Sequence, residues 1–163
     1  MAIVKWLLIG LLVLVLSGVV AGQLGLLRGK MPPDLGVRDG LLKPPSTTPN
    51  SVSSQVALHP AHPRREQAAI APLALRTDGP ATLARIKAVV AAMPGATVVT
   101  SAPDYLYAQF ETRWMKYVDD VEFWFDAKAN LVQVRSASRV GREDFNVNRQ
   151  RVEAIRASLA SAP

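Results

Sequence analysis

The chain has 163 residues, a formal net charge of +6, two histidines and no cysteine, so it holds one domain of ordinary size and excludes disulfides, thiolate metal ligands and cysteine nucleophiles. Its basic excess is not spread evenly: residues 1–44 carry five basic against two acidic residues, and residues 79–163 eleven against nine. The C-terminal part therefore has the interspersed charge of a solvated surface, and nucleic acid is not an expected partner.

From Trp6 to Leu27 there are 22 positions without a charge. As a helix rising about 1.5 Å per residue they span about 33 Å, enough to cross a bilayer core. Residues 1–30 are read as a membrane anchor, with the membrane engaged through residues 6–27. The rival reading is a cleaved signal peptide, since Val19 and Ala21 place small residues before Gly22. Retention is favoured because the apolar run continues through Leu24, Leu26 and Leu27. Lys5 on one side competes with Arg28, Lys30 and Arg38 on the other, which leaves orientation undecided by charge. Gly18 and Gly22 form a small-xxx-small pair that suits helix pairing, although glycine is common in such helices anyway.

Residues 31–68 are rich in proline, serine and threonine, and Pro32, Pro33, Pro44, Pro45, Pro49, Pro60 and Pro63 break any helix or central strand. They are expected to form a stalk and loop. His59 and His62 bracket a Pro-Ala pair that prevents a one-turn helix, so they read as loop histidines, not as metal ligands.

Residues 69–163 are expected to form an α+β domain. A short strand over 70–75 precedes a helix over 80–93, with Asp78 as its cap and Leu83, Ile86, Val89, Val90 and Met93 at three- and four-residue spacing. Pro94-Gly95 stops it. The period then switches to two over 97–101, 105–113, 120–126 and 131–138, the pattern of an antiparallel sheet of four or five strands. Closing the last two through Ala127 to Asn130 sets Phe125 opposite Val132, Phe123 opposite Val134 and Val121 opposite Ser136. On the other face it sets Glu122 opposite Arg135 and Trp124 opposite Gln133. A final helix over 148–160 carries Val152, Ile155 and Leu159 on its apolar stripe, with Asn146 or Asn148 as cap and Arg149 spaced to pair with Glu153. Both helices are expected on one face of the sheet.

Three stretches in this order carry a resemblance: Pro49-Asn50-Ser51-Val52-Ser53-Ser54-Gln55, Val118-Asp119-Asp120-Val121-Glu122-Phe123, and Arg135-Ser136-Ala137-Ser138-Arg139-Val140-Gly141 continuing through Asp144-Phe145-Asn146-Val147-Asn148-Arg149. The chain resembles the domain of unknown function 1499 family, from about Leu35 to Leu159. The resemblance implies a small membrane-tethered or exported bacterial envelope protein, N-terminus inside and C-terminal domain in the periplasm, with relatives in chloroplasts. It implies no substrate, cofactor or reaction. Family members commonly read Pro-Cys-Pro-x-x-Pro-Asn-Cys ahead of Val-Ser-Ser; here the two cysteine positions are taken by Pro45 and Ser51. Both are lost together, which fits a loop-stapling disulfide better than a thiol chemistry.

Asp119, Asp120, Glu122, Arg135, Ser136, Ser138, Arg139, Asn148 and Arg149 are the candidate binding residues. Read functionally, they form a carboxylate–guanidinium patch that recognises a polar or anionic envelope ligand; read structurally, they are cross-strand ion pairs and caps. Adjacent strand residues point to opposite faces, so only Asp120 and Glu122 can act as a carboxylate pair. No histidine follows His62, which excludes a Ser-His triad within the domain. Trp114, Trp124, Tyr105 and Tyr107 are read as core or cross-strand partners before a ligand platform. The leading expectation is a non-catalytic binding or interaction domain in the envelope, without cofactor, whose partner is an envelope protein or a small polar or anionic ligand. The alternative is a cofactor-free hydrolase or isomerase using Asp120, Glu122 and Arg135.

Overall fold

The computed structural model describes residues 1–161. Helix α1 (Ala2–Gln23) is followed by β1 (Ser51–Ser53), a 3-10 turn (Val56–Leu58), α2 (Arg65–Ala68), β2 (Leu73–Ala74), α3 (Gly79–Ala91), β3 (Ala96–Ser101), β4 (Tyr105–Glu111), β5 (Val118–Asp126), β6 (Leu131–Ser138) and α4 (Val147–Ser161). The sheet is antiparallel throughout, in the order β1-β6-β5-β4-β3, and β2 also pairs with β6. It has six strands where four or five were expected, because β1 and β2 are short pieces along one edge of β6.

The β5–β6 hairpin has the register read from the sequence: Phe125 opposite Val132, Glu122 opposite Arg135 and Trp124 opposite Gln133. Its turn is tied by the Asp126 carboxylate, which accepts from the Lys128 and Ala129 N–H groups, and Asn130 takes the left-handed φ of 54°. In α3 the Asp78 carboxylate accepts from Ala81 N–H at 2.7 Å, and Pro80 lies in the first turn.

Helices α3 and α4 share one face of the sheet. Ile86, Val90, Val152 and Ile155 close on Leu106, Val121, Phe123 and Val134, all buried. Burying each such side chain contributes about 1.5–3 kcal/mol against the entropy of ordering the chain. Helix α4 begins differently from expectation: its first turn is capped by Asp144, whose carboxylate accepts from the Asn146 and Asn148 N–H groups at 3.0 Å. Arg149 does not pair with Glu153. Arg156 takes that carboxylate at 2.9 Å, while Arg149 reaches back to the carbonyls of Gln67 and Ala69.

The proline-rich segment also departs from a free stalk. Ser51, Val52 and Ser53 lie opposite Ala137, Ser136 and Arg135 as β1, all three buried, and Leu42 and Val56 are buried with them. Proline excludes a central strand or helix but permits a three-residue strand on the outside of β6 and an extended cover laid over the sheet. Residues 34–46 form that cover. Gly36 N–H donates to Glu122, Leu42 N–H to Gln55, and the Arg135 side chain donates to the Pro44 carbonyl. The domain thus has three layers: helices, sheet and cover.

Candidate functional site

Strand alternation divides the nine candidate residues between the two faces of the sheet, and the layers on either side bury both groups. On the helix side, Asp119 accepts from Arg151 of α4 at 2.6 Å. Beside it Ser136 donates to Asn148, whose amide donates in turn to Ser138, Asp144 and the Asn50 carbonyl. Asn148 is fully buried, and Arg151 also donates to its side-chain oxygen. This cluster fastens the start of α4 to β6 and to β1.

On the cover side, Asp120 receives Arg139 through two parallel contacts, Nη2 to Oδ1 at 2.7 Å and Nε to Oδ2 at 2.9 Å, and Tyr107 donates to it at 2.6 Å. Glu122 accepts from Tyr105, Gly36 N–H and Arg135. Glu122 and Arg135 are 0% and 4% exposed. Desolvation pushes the Tyr107 hydroxyl up to about 12, with the Asp120 hydrogen bond acting in the same direction. Tyr105 is likewise raised, first by burial and then by the Glu122 charge. Burial lowers the Arg135 guanidinium from its usual range against the pull of Glu122, whereas the Asp120 hydrogen bond raises Arg139. Among the described residues every buried side-chain nitrogen and oxygen has a hydrogen-bond partner.

Arg149 joins neither group. The nine residues are therefore not one patch, and the cover separates the Asp120–Glu122 pair from solvent. A general base needs a free lone pair and a path for substrate. Here Asp120 is held by Arg139 and Tyr107, and Glu122 by three donors. Of the two pairs, Glu122–Arg135 is the one bonded to the cover, through Gly36 N–H and the Pro44 carbonyl. The Lys43 ammonium beside Asp34 closes the cover from outside and holds that carboxyl below its usual range.

No motif reading of the sequence singled out a basic groove of about 840 Å³ between the end of α1 and the β3–β4 edge. Arg28, Thr97, Gln109, Glu111, Arg113 and Lys116 line it, with Arg151 at its floor stacked on Phe110 at 4.5 Å. Glu111 accepts from both Arg28 at 3.0 Å and Lys116 at 2.8 Å. One carboxylate thus faces two cations, and Arg113 beside them lies over the Trp114 ring at 4.9 Å. The groove presents exposed positive charge, the feature the buried pairs lack. Its residues come from four separate places in the chain, so spacing carried no sign of it.

Among the described residues no group of three His, Asp or Glu is placed to hold a metal. His62 instead lies 3.1 Å from the Pro45 carbonyl and accepts from Arg64 N–H. No curated protein and no solved structure matches the chain. Residues 41–159 match the family described as protein of unknown function (DUF1499), a span that runs from the cover through β1 and the sheet to the last turn of α4. The chain belongs to that family.

Proposed function

We propose that the chain is a membrane-tethered, non-catalytic binding module, with α1 retained in a bacterial inner membrane and the α+β domain on the periplasmic side. The tether rests on α1: 22 residues, a mean hydropathy of 2.6 over its most apolar window, and none of that window covered by the rest of the chain. A helix of that composition gains nothing from water and is long enough to span hydrocarbon. Retention is supported by Gly18, which lies on the segment that cleavage before Gly22 would remove. It is seated on the domain, a Cβ there lying 3.2 Å from the Met115 methyl carbon. The residues that follow it are held in the same place. Gly22 is buried against Met115, and Gln23 donates to the Trp114 carbonyl at 2.9 Å.

The observation that carries binding over catalysis is the contrast between the two polar regions. Asp120, Glu122 and Arg135 are buried and saturated, whereas Arg28, Arg113 and Lys116 line an open groove. Guanidinium and ammonium groups arranged this way suit a small polar or anionic ligand. The test is native mass spectrometry of the full chain released from nanodiscs, compared with Arg113→Ala/Lys116→Ala. An adduct present in the native chain and absent from the folded double variant supports the groove. Turnover of an ester or amide substrate that is abolished by Asp120→Asn, with the fold intact, overturns the reading in favour of an enzyme.

A further inference from the structure

We infer that the tip of the β4–β5 hairpin, residues 112–117, is a second membrane contact: an interfacial loop that sits between the headgroups and the upper acyl chains beside the end of α1. The inference rests on the tether reading above and goes beyond it.

The hairpin is seated on the last two turns of α1. A Cβ on Gly22 would lie 2.6 Å from the Met115 carbonyl, and one on Gly18 would lie 3.2 Å from the Met115 methyl carbon. Gln23 adds a hydrogen bond to the Trp114 carbonyl. Glycine at these two positions lets the loop approach the helix axis, so the small-xxx-small pair meets the chain's own hairpin. Gly18 lies five residues inside Gln23, about 7 Å of helix. If α1 crosses a bilayer with Gln23 at its surface, a loop touching both positions lies in the interfacial zone, between the headgroups and the upper acyl chains.

The tip has the composition of that zone. Trp114 is 61% exposed and Tyr117 38% exposed, although both are large and apolar. Indole and phenol rings with a polar handle favour the membrane–water interface. Arg113 and Lys116 flank them, and the tip contains no acidic residue. The backbone is also prepared for a drier medium. Thr112 N–H donates to the Tyr117 carbonyl, Lys116 N–H to the Thr112 carbonyl and Tyr117 N–H to the Thr112 hydroxyl. A loop whose amides bond internally enters the interface at lower cost than an open one. Trp6, near the other end of α1, would mark the opposite leaflet.

The test uses the full chain in nanodiscs whose phosphatidylglycerol and phosphatidylcholine carry bromine high on the acyl chains. Two single-tryptophan forms are compared: one keeping Trp114 (Trp6→Phe, Trp124→Phe) and one keeping Trp6 (Trp114→Phe, Trp124→Phe). Circular dichroism checks that both are folded. The expected result is loss of about half or more of the emission from each tryptophan relative to unbrominated lipid, as for rings in the interfacial belt. Quenching of Trp6 without quenching of Trp114 would overturn the hairpin contact and leave the tether standing. Quenching of neither would overturn both.

Discussion

Glu122 and Arg135 face each other across β5 and β6 with Oε2 and Nη1 3.4 Å apart, and Gly36 N–H closes the pair from the cover side at 2.7 Å from Oε1. A buried charge that loses its partner keeps its desolvation penalty. Arg135→Ala is therefore expected to destabilise the domain by about 3–5 kcal/mol. Glu122→Gln combined with Arg135→Met should cost less than the sum of the two single changes, by about 1 kcal/mol or more. Urea denaturation of the native chain, Arg135→Ala, Glu122→Gln, Arg135→Met and the double variant measures both quantities. A ligand-binding role for Arg135 predicts the opposite pattern: near-native stability with binding lost.

The Tyr107 hydroxyl gives the folded domain an alkaline limit. Its ordinary value is 10.0, and burial together with the Asp120 hydrogen bond raises it to about 12, so the folded state favours the neutral form. The sign follows: its contribution is complete below pH 10 and is lost as pH rises through about 12, because the unfolded chain ionises first. Tyr107→Phe should flatten part of the fall in denaturation midpoint over that window. Tyr105, raised by the same causes, keeps the remainder. An identical alkaline slope in the variant would show that Tyr107 does not titrate with folding.

How much of this was legible in the sequence depended on whether an interaction was local. The β5–β6 register followed from alternation and one tight turn, and the placing of Asp119 and Asp120 on opposite faces followed from strand geometry alone. The Asp78 cap was readable because its signature lies within four residues. Glu122 opposite Arg135 came with the β5–β6 register, but the partners of Asp119 and Asp120 were not readable. Arg151 meets Asp119 from 32 residues away and Arg139 meets Asp120 from 19 residues away, contacts that only the tertiary fold sets. Strand β1 was hidden because Ser-Val-Ser between turns offers three residues of pattern, too few for a period. The Asp144 cap was missed because Phe145 and Asn146 both take left-handed φ, of 51° and 66°, which no propensity favours for phenylalanine.

That strain is itself measurable. Phe145 is 78% exposed, so its ring gives little packing in return for a left-handed backbone. Phe145→Gly is expected to leave the domain as stable or raise its stability by up to about 1 kcal/mol, read from the thermal midpoint. A loss of 2 kcal/mol or more, on the scale of a capping failure, would show that the ring holds the Asp144 turn in place.

The turn that leads into β1 offers a test of the two positions at which the family commonly has cysteine. Ser46 N–H donates to the Ser51 hydroxyl at 2.8 Å, which brings the chain on either side of residues 45 and 51 together without a covalent bond. Pro45→Cys with Ser51→Cys should form a disulfide under air oxidation. Closing so short a loop is expected to stabilise the domain by about 2 kcal/mol. Oxidised and reduced samples of the same variant, compared in urea, isolate the effect of the bond. A variant that stays reduced would show that the hydrogen-bonded turn holds the two positions outside disulfide geometry.

The seat of the β4–β5 hairpin on α1 separates domain stability from domain placement. Gly22 is buried against the Met115 backbone, so Gly22→Leu forces the helix and the loop apart. None of the sheet or core contacts involves that position, and the unfolding free energy of the domain in urea should change by less than about 0.5 kcal/mol. The distance between spin labels at Leu26 and Thr112 should broaden from one narrow distribution to several, since the Gln23 hydrogen bonds to the Arg113 and Trp114 carbonyls are lost with the seat. If the distribution stays narrow in the variant, the domain is held to α1 by the Arg28–Glu111 pair, not by the glycine seat.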